Sequence, residues 1–229
     1  MLKFQQKEEK MKKYSEILKK CPLFAGISED DLSVMLNCLG ARVDVFDKKY
    51  TVMSEGSNAK YLGIVLSGAV QIEQTDFYGN RSILSVVNEG EVFAEAFACS
   101  DTPVLPVSVI ALKQSEIMFI ESSRILHTCK NSCGFHNKLI YNLMKDIALK
   151  TVMFHNKIEI ISKRSTRAKL LSYLSMISKK EGSSAFYIPF DRQELADFLE
   201  VDRSGLSAEI SKLKKEGILD CRKNYFELY

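Results

Sequence analysis

The stretch Asp191-Arg-Gln-Glu-Leu-Ala-Asp-Phe-Leu-Glu-Val-Asp-Arg-Ser-Gly-Leu-Ser-Ala-Glu-Ile-Ser-Lys-Leu-Lys-Lys-Glu-Gly217 holds two helix starts and a stop. Asp191 with Glu194 is an Asp-x-x-Glu start signal, and Leu195, Phe198 and Leu199 follow at helical spacing. Glu200-Val201-Asp202 reads as a three-residue turn whose last residue caps a second helix. That helix turns Leu206, Ile210 and Leu213 to one side, and Gly217 ends it. Ala196 is small where the two helices must cross. The spacing predicts a helix-turn-helix. In such a pair the second helix lies in the major groove and its N-terminal residues reach base edges. The residues exposed there are Arg203, Ser204, Ser207 and Ala208. Arginine takes guanine in bidentate fashion or holds a phosphate, and serine contacts either. Glu200 stands at a turn position where a positive φ is usual. A non-glycine residue adopts that conformation at about 1 kcal/mol, so a slightly remodelled turn is expected.

Outward from this pair, Ile218 to Leu228 reads as a hairpin turning at Lys223-Asn224, a wing whose Arg222 and Lys223 would rest on the phosphate backbone. On the other side, Arg167 to Ser178 is a helix with Leu170, Leu171, Leu174 and Ile177 inward, followed by a Gly/Ser turn and a short strand to Pro189. Lys163-Arg-Ser-Thr-Arg167 acts as a hinge into this domain.

Before the hinge, Phe135 to Ser162 is a single long helical pattern. Ile140, Leu143, Ile147, Thr151, Phe154, Ile158 and Ile161 form one stripe, and Lys138, Lys145, Asp146 and Lys150 stand opposite. A helix of about 28 residues spans roughly 42 Å. That exceeds the width of a small β domain, so part of the stripe is expected to meet the same helix of a second copy. Ile140, Leu143, Ile147, Phe154 and Ile158 are the candidate dimer-interface residues.

From Ala41 to about Ile120 the pattern changes to short apolar or alternating runs: Tyr61–Leu66, Ala69–Ile72, Ser82–Val87, Val107–Leu112 and Glu116–Ile120. Turn signals fall at Glu55-Gly56, Ser67-Gly68, Tyr78-Gly79-Asn80 and Asn88-Glu89-Gly90. Regular strands with no helical pattern between them predict an antiparallel barrel or roll. Two short helices around Cys21-Pro22 precede it, the second capped at Ser28 and turning Leu32, Met35, Leu36 and Leu39 to one face.

The expected fold class is therefore α+β: an antiparallel, jelly-roll-like β-roll (1–134), a dimerisation helix (135–162) and a winged helix-turn-helix (163–229). The chain's 229 residues are enough for two cores. No apolar run approaches the roughly 18 residues of a membrane span, and the charged start to Lys20 is no secretory signal, so a cytoplasmic location is expected. The net charge of +3 is unevenly placed. From Lys157 to Tyr229 there are 14 Lys+Arg against 11 Asp+Glu, which puts the whole excess in the last third, where a nucleic-acid partner would need it. The six cysteines, Cys21, Cys38, Cys99, Cys129, Cys133 and Cys221, include no C-x-x-C and read as reduced thiols.

Several motifs together resemble the Crp/Fnr family, named after the cyclic-AMP receptor protein and the fumarate–nitrate regulator. They are Pro22-Leu-Phe-Ala-Gly-Ile27, Leu66-Ser-Gly-Ala-Val-Gln-Ile72, Asn88-Glu-Gly-Glu-Val-Phe93, Arg192-Gln-Glu-Leu-Ala196 and Asp202-Arg-Ser204. The resemblance spans nearly the whole chain. It implies a transcriptional regulator in which chemistry in the roll re-angles the dimer helices of a homodimer. Two recognition helices then meet a palindromic double-stranded DNA operator about one DNA turn, ~34 Å, apart. RNA polymerase enters as a partner on the same ground.

The departures from the family pattern concern the sensor. The family's cyclic-nucleotide binders carry a Gly-Glu pair for the ribose and an Arg-Ser pair that clamps the cyclic phosphate. Here these positions fall on Ala94-Glu95 and about Leu105-Pro106. Leucine at the clamp would leave a buried anion unpaired, so cyclic AMP is not the expected ligand. Ala94, Glu95, Leu105 and Pro106 are kept as candidate pocket residues for an unknown small-molecule effector. An iron–sulfur site would need several cysteines near the N-terminus, where Cys21 stands alone. Cys129/Cys133 and the isolated His127, His136 and His155 are read as incidental, and neither cofactor nor metal is expected. The family's best-known members carry an acid and an arginine where Ser204 and Ala208 sit, so their target half-site does not carry over.

The candidate DNA-binding residues are Arg192, Gln193, Arg203, Ser204, Ser207, Lys212, Arg222 and Lys223. Two rival readings remain: a ligand-sensing protein that regulates a protein partner rather than DNA, and an enzyme with a cupin-like roll. No histidine lies between Ala41 and Ile120 to build such an enzyme's metal site, so no catalytic residue is assigned.

Overall fold

The computed structural model describes residues 14–100, 103–127 and 135–229. Cys129 and Cys133 lie outside the described residues. The chain divides into two compact units, residues 1–75 with 84–150, and residues 76–83 with 151–229. The division falls inside the long central helix rather than after it.

The first unit opens with α1 (Ser15–Lys20), a 3₁₀ turn at Pro22–Phe24, and α2 (Glu29–Cys38). Ser28 caps α2 by accepting from the Asp31 N–H, and Leu32, Met35, Leu36 and Leu39 are buried as expected. Eight strands follow: β1 (Arg42–Phe46), β2 (Thr51–Met53), β3 (Tyr61–Ser67), β4 (Ala69–Thr75), β5 (Arg81–Asn88), β6 (Val92–Phe93), β7 (Ser108–Ala111) and β8 (Ser115–Glu121). They form two four-stranded sheets, ordered β1-β8-β3-β6 and β2-β7-β4-β5. β8 pairs antiparallel with β1 and β3, and β7 pairs antiparallel with β2 and β4. The antiparallel roll is what the regular turn signals predict. The runs read from the sequence do not include β1, β2 and β6: β2 and β6 are only three and two residues long, and β1 alternates but has none of its residues fully buried.

The inner faces of the roll pack Val65, Val70, Val87, Phe93, Val109 and Ile117 into one apolar cluster. Phe93 lies so close over Gly63 that any side chain there would overlap its ring. Two short helices, α3 (Glu95–Ala98) and α4 (Ser122–Leu126), complete the roll, and α5 (Phe135–Ile161) is the central helix.

The orientation of α5 corrects the sequence reading. Leu143 is buried in the core of its own unit beside Leu139, and Ile147 packs against that core. Leu143 is therefore not available to a partner. Lys138, Asp146 and Lys150, expected on the far face, are turned toward the roll. Lys138 donates to the Gly26 carbonyl at 2.5 Å and Lys150 to the Val92 carbonyl at 2.6 Å. Asn142, between them, donates to the Leu23 and Ala25 carbonyls, both at 3.0 Å. Asn142 and Lys150 answer carbonyls that are buried or partly buried, and the Lys138 bond lies at the surface. The outward face keeps Lys145 as expected but also carries apolar side chains: Tyr141, Met144, Leu149, Val152, Met153 and Ile158 are each more than half exposed. Among the expected interface residues, Phe154 and Ile158 are exposed and Ile140 is half-buried.

The second unit contains α6 (Thr166–Glu181), β9 (Ala185–Tyr187), α7 (Arg192–Leu199), α8 (Arg203–Lys215), β10 (Leu219–Arg222) and β11 (Tyr225–Leu228). The three strands make one antiparallel sheet ordered β10-β11-β9. Leu170, Tyr173, Leu174, Leu195, Leu199 and Leu206 are buried in its core. The Phe198 ring lies 5.2 Å from Tyr173 and 4.8 Å from Phe190, and burial raises the Tyr173 phenol above its ordinary pKa. Residues 76–83 join this unit through Arg81, which pairs with Asp197 at 2.5 Å, and through Lys157, which donates to the Ile83 carbonyl.

Candidate nucleic-acid interface

The helix pair at 191–217 forms as its caps dictate. Asp191 accepts from the Glu194 N–H at 2.8 Å and the Glu194 carboxylate accepts from the Asp191 N–H at 2.7 Å, a full capping box. Glu200 ends α7 in the left-handed region, at φ 53° and ψ 58°. The turn keeps its ordinary geometry, and glutamate carries the strain instead of a remodelled backbone. A feature invisible in the sequence supports it: Lys169 of α6 donates to the Leu199 and Glu200 carbonyls at 3.1 and 3.0 Å.

Asp202 then caps α8, accepting from the Gly205 N–H at 2.8 Å and from the Ser204 hydroxyl at 2.5 Å. These bonds, Ser204's first, hold the Asp202 carboxyl below the usual aspartate range. Leu206, Ile210 and Leu213 are buried. At the far end the Ile218 N–H reaches the Leu213 carbonyl at 3.0 Å and Gly217 adopts φ 70°, the geometry of a glycine helix stop. Arg167 of α6 grips Glu216 through both guanidinium nitrogens, at 3.1 and 2.6 Å. The second helix is thus pinned at its start, along its buried side and at its end.

This leaves one stripe in water. Arg203, Ser204, Ala208 and Lys212 are exposed and Ser207 half-exposed, at the one-four-five spacing opposite the buried leucines. Arg222 and Lys223 are exposed in the hairpin between β10 and β11, which turns at Lys223-Asn224 with Lys223 at φ 57°. Among the described residues, none of Arg203, Lys212, Arg222 and Lys223 has an ion-pair partner. Lys214, by contrast, is held by Asp220 at 2.6 Å.

The two candidates on α7 are placed differently. The Arg192 guanidinium lies 5.7 Å over the Phe226 ring and donates to the Cys221 sulfur at 3.8 Å, so it faces its own wing. Its Nη1 is buried without a hydrogen-bond partner among the described residues. Gln193 is exposed, with its amide donating to Asp197 at 2.7 Å. A recess of about 480 Å³ between the start of α7 and the wing is lined by Phe190, Asp191, Arg192, Glu194, Lys223 and Asn224.

The four candidate pocket residues do not form a common polar site. Leu105 and Ala94 belong to the roll's apolar cluster, and Pro106 is exposed. Ala94 adopts φ 61°, the left-handed conformation in which glycine is at ease. Glu95 is buried and pairs with Lys150 of α5 at 3.0 Å.

Comparison with known proteins agrees with this geometry. A cyclic nucleotide-binding domain model matches residues 43–132 and a Crp-like helix-turn-helix domain model matches residues 168–228. The chain belongs to the Crp/Fnr family. Its roll is the family's cyclic-nucleotide-binding type of sensor and its second unit the DNA-binding domain of a transcription regulator.

Solved structures with the same fold include the c-di-GMP responsive global regulator CLP from Xanthomonas campestris. It is 18% identical, with a TM-score of 0.71 and coverage of 86% of this chain and 99% of that one. FixK2 from Bradyrhizobium japonicum is 17% identical, with a TM-score of 0.64 over 82% and 92%. A CRP-family transcriptional regulator from Thermus thermophilus is 17% identical, with a TM-score of 0.59 over 81% and 91%. No curated protein matches the sequence. Among the described residues no helix is long and apolar enough to cross a membrane.

Proposed function

We propose that this Crp/Fnr-type regulator binds a palindromic operator as a homodimer, reading bases with Arg203, Ser204 and Ser207 and holding the backbone with Lys212, Arg222 and Lys223. The observation that carries the reading is the unpaired stripe on α8. Arg203 and Lys212 stay in water there with no ion-pair partner among the described residues, while the helix is held by its Asp202 cap, its buried face and the Arg167–Glu216 pair. Phosphate neutralisation by such cations makes binding fall steeply with salt.

The dimer reading rests on the outward face of α5. Tyr141, Met144, Ala148, Val152 and His155 follow one another in steps of three, four, four and three, the spacing of a two-stranded seam. Exposed apolar residues along a long helix mark a protein interface.

The roll, on our reading, answers to a signal other than cyclic AMP. Its clamp position is a core leucine, and Lys150, beside the segment 94–106, already serves two carboxylates. The Xanthomonas neighbour is described as c-di-GMP responsive, which makes a larger nucleotide the first ligand to try.

Fluorescence anisotropy on promoter fragments, taken across a salt series, tests the DNA reading. A steep fall in affinity with salt supports it, and binding without such a fall overturns it. Lys223→Ala should weaken all sequences alike and lower the salt slope by about one. Analytical ultracentrifugation at micromolar concentration should show twice the chain mass, and a monomer would remove the dimer.

A further inference from the structure

The ligand segment of the roll and the central helix are joined by a buried charged cluster. Lys150 Nζ lies 3.0 Å from Glu95 Oε1, 2.9 Å from Asp146 Oδ2 and 2.6 Å from the Val92 carbonyl oxygen. The Glu95 and Asp146 side chains are only 6% and 9% exposed, and Lys150 25%. Asp146 stands one turn before Lys150 on the same helix, so that pair adds no link between elements. Glu95 and the Val92 carbonyl belong to the segment that runs from β6 into α3. Lys150 is therefore the tie between that segment and α5.

Two further features mark this tie as more than packing. Glu95 Oε2 is buried without a hydrogen-bond partner among the described residues, and the cluster holds two carboxylates for one ammonium. A buried group left half-satisfied is costly, so the arrangement lies close to one in which it opens. Glu95 also follows Ala94, whose left-handed backbone is strained. The tie thus holds a strained turn in place.

We infer that the Lys150–Glu95 bridge is a lock built into the chain, which fixes the 92–98 segment against the central helix with no small molecule present, and whose opening changes DNA affinity. The last clause rests on the proposed DNA binding; the lock itself does not. Lys150 is a positioning residue: it acts through the helix, and α5 runs without a break from the roll into the second unit.

The test compares three variants of the full chain at equal fraction folded. Glu95→Gln cuts the bridge but leaves Lys150 balanced by Asp146. Lys150→Met cuts it from the other side. Asp146→Asn keeps it. Hydrogen exchange should quicken at least tenfold across Val92–Ala98 in the first two and change less than threefold in the third. A Glu95→Gln/Lys150→Met double variant, in which Asp146 keeps the one charge of the cluster, should match the exchange of Lys150→Met alone. In anisotropy without added ligand, the two bridge-cutting variants should shift the DNA Kd at least fivefold, and Asp146→Asn less than twofold.

Equal exchange in all three variants, or exchange effects that add in the double, overturns the lock. Quickened exchange with an unmoved DNA Kd overturns its link to DNA affinity while the lock stands. If the unaltered chain binds no DNA at all, the proposed function falls, and the exchange measurements still decide the lock.

Discussion

Lysine and arginine do opposite work in the two units. In the first, Lys138 and Lys150 point inward, joined by Asn142, and close the carbonyls of distant loops. In the second, Arg203, Lys212, Arg222 and Lys223 stand in water with no ion-pair partner among the described residues, while Lys169 braces the turn before the helix that carries the first two and Arg167 braces its end. The lesson is that cation content does not locate a nucleic-acid surface. What separates the two groups is whether the charge already has an acceptor inside the chain. A reader counting charges would put α5 and α8 in one class; their bonding puts them in two.

The sharpest way to break the comparison is Asn142→Ala. If the inward polar face of α5 is structural, the change strands the Leu23 and Ala25 carbonyls, and urea denaturation should show a loss of about 2–4 kcal/mol. A loss under about 0.5 kcal/mol would mean the inward face holds nothing. The matching change on the outward side is Arg203→Ala. It should leave stability within about 0.5 kcal/mol, weaken DNA binding by about 1–3 kcal/mol and relax the base preference at one position. A stability loss as large as that of Asn142→Ala would erase the distinction.

Lys157 lies between the two classes, a buried cation in the second unit. Its ammonium donates to the Ile83 carbonyl and lies 4.3 Å from the Phe198 ring. Burial lowers its pKa from 10.5 to about 8, against a smaller opposing pull from Glu200. Between these values the unfolded chain holds the proton and the folded chain has released it, so stability rises with pH. Thermal unfolding should therefore shift upward from pH 8 to about pH 10, on the order of 1–2 kcal/mol. Above pH 10 the buried Tyr173, with its raised pKa, opposes the gain because the unfolded phenol ionises first. Lys157→Met should abolish the rise. The smallest effect expected is from Glu200→Gly. It relieves the left-handed turn and should add up to about 1 kcal/mol, with DNA affinity unchanged because Lys169 holds carbonyls, not the side chain.

The helix-turn-helix was legible because its determinants are local. Asp191 with Glu194, Asp202 with Gly205, and the run Leu206, Ile210 and Leu213 all lie within a few residues of what they act on. The roll was legible as a class from its turn signals, while β2 and β6 are too short to announce themselves and β1 alternates over a single run of five. The face of α5 was not legible. Apolar residues occur on more than one side of it, and which side faces the roll depends on carbonyls at Leu23, Ala25, Gly26 and Val92, which any residue type supplies equally. The partners of Lys169 and Arg167 lie 30 to 49 residues away, beyond any spacing rule. Arg192 is expected at the DNA from its place at a helix start; that its guanidinium lies over the Phe226 ring, 34 residues on, is a contact no local spacing announces.

The exposed side of α8 sets small residues, Ser204, Ser207, Ala208 and Ser211, among the long cations Arg203 and Lys212. Their side chains contribute nothing to the buried face, where Leu206, Ile210 and Leu213 hold the helix. Addressing and architecture are therefore separable in this domain. On the proposed function, a change at Ser207 or Ala208, which take no part in the cap or the buried face, would alter the operator and leave the fold as it is, so descendants of this chain would be free to keep the switch and exchange the genes it serves.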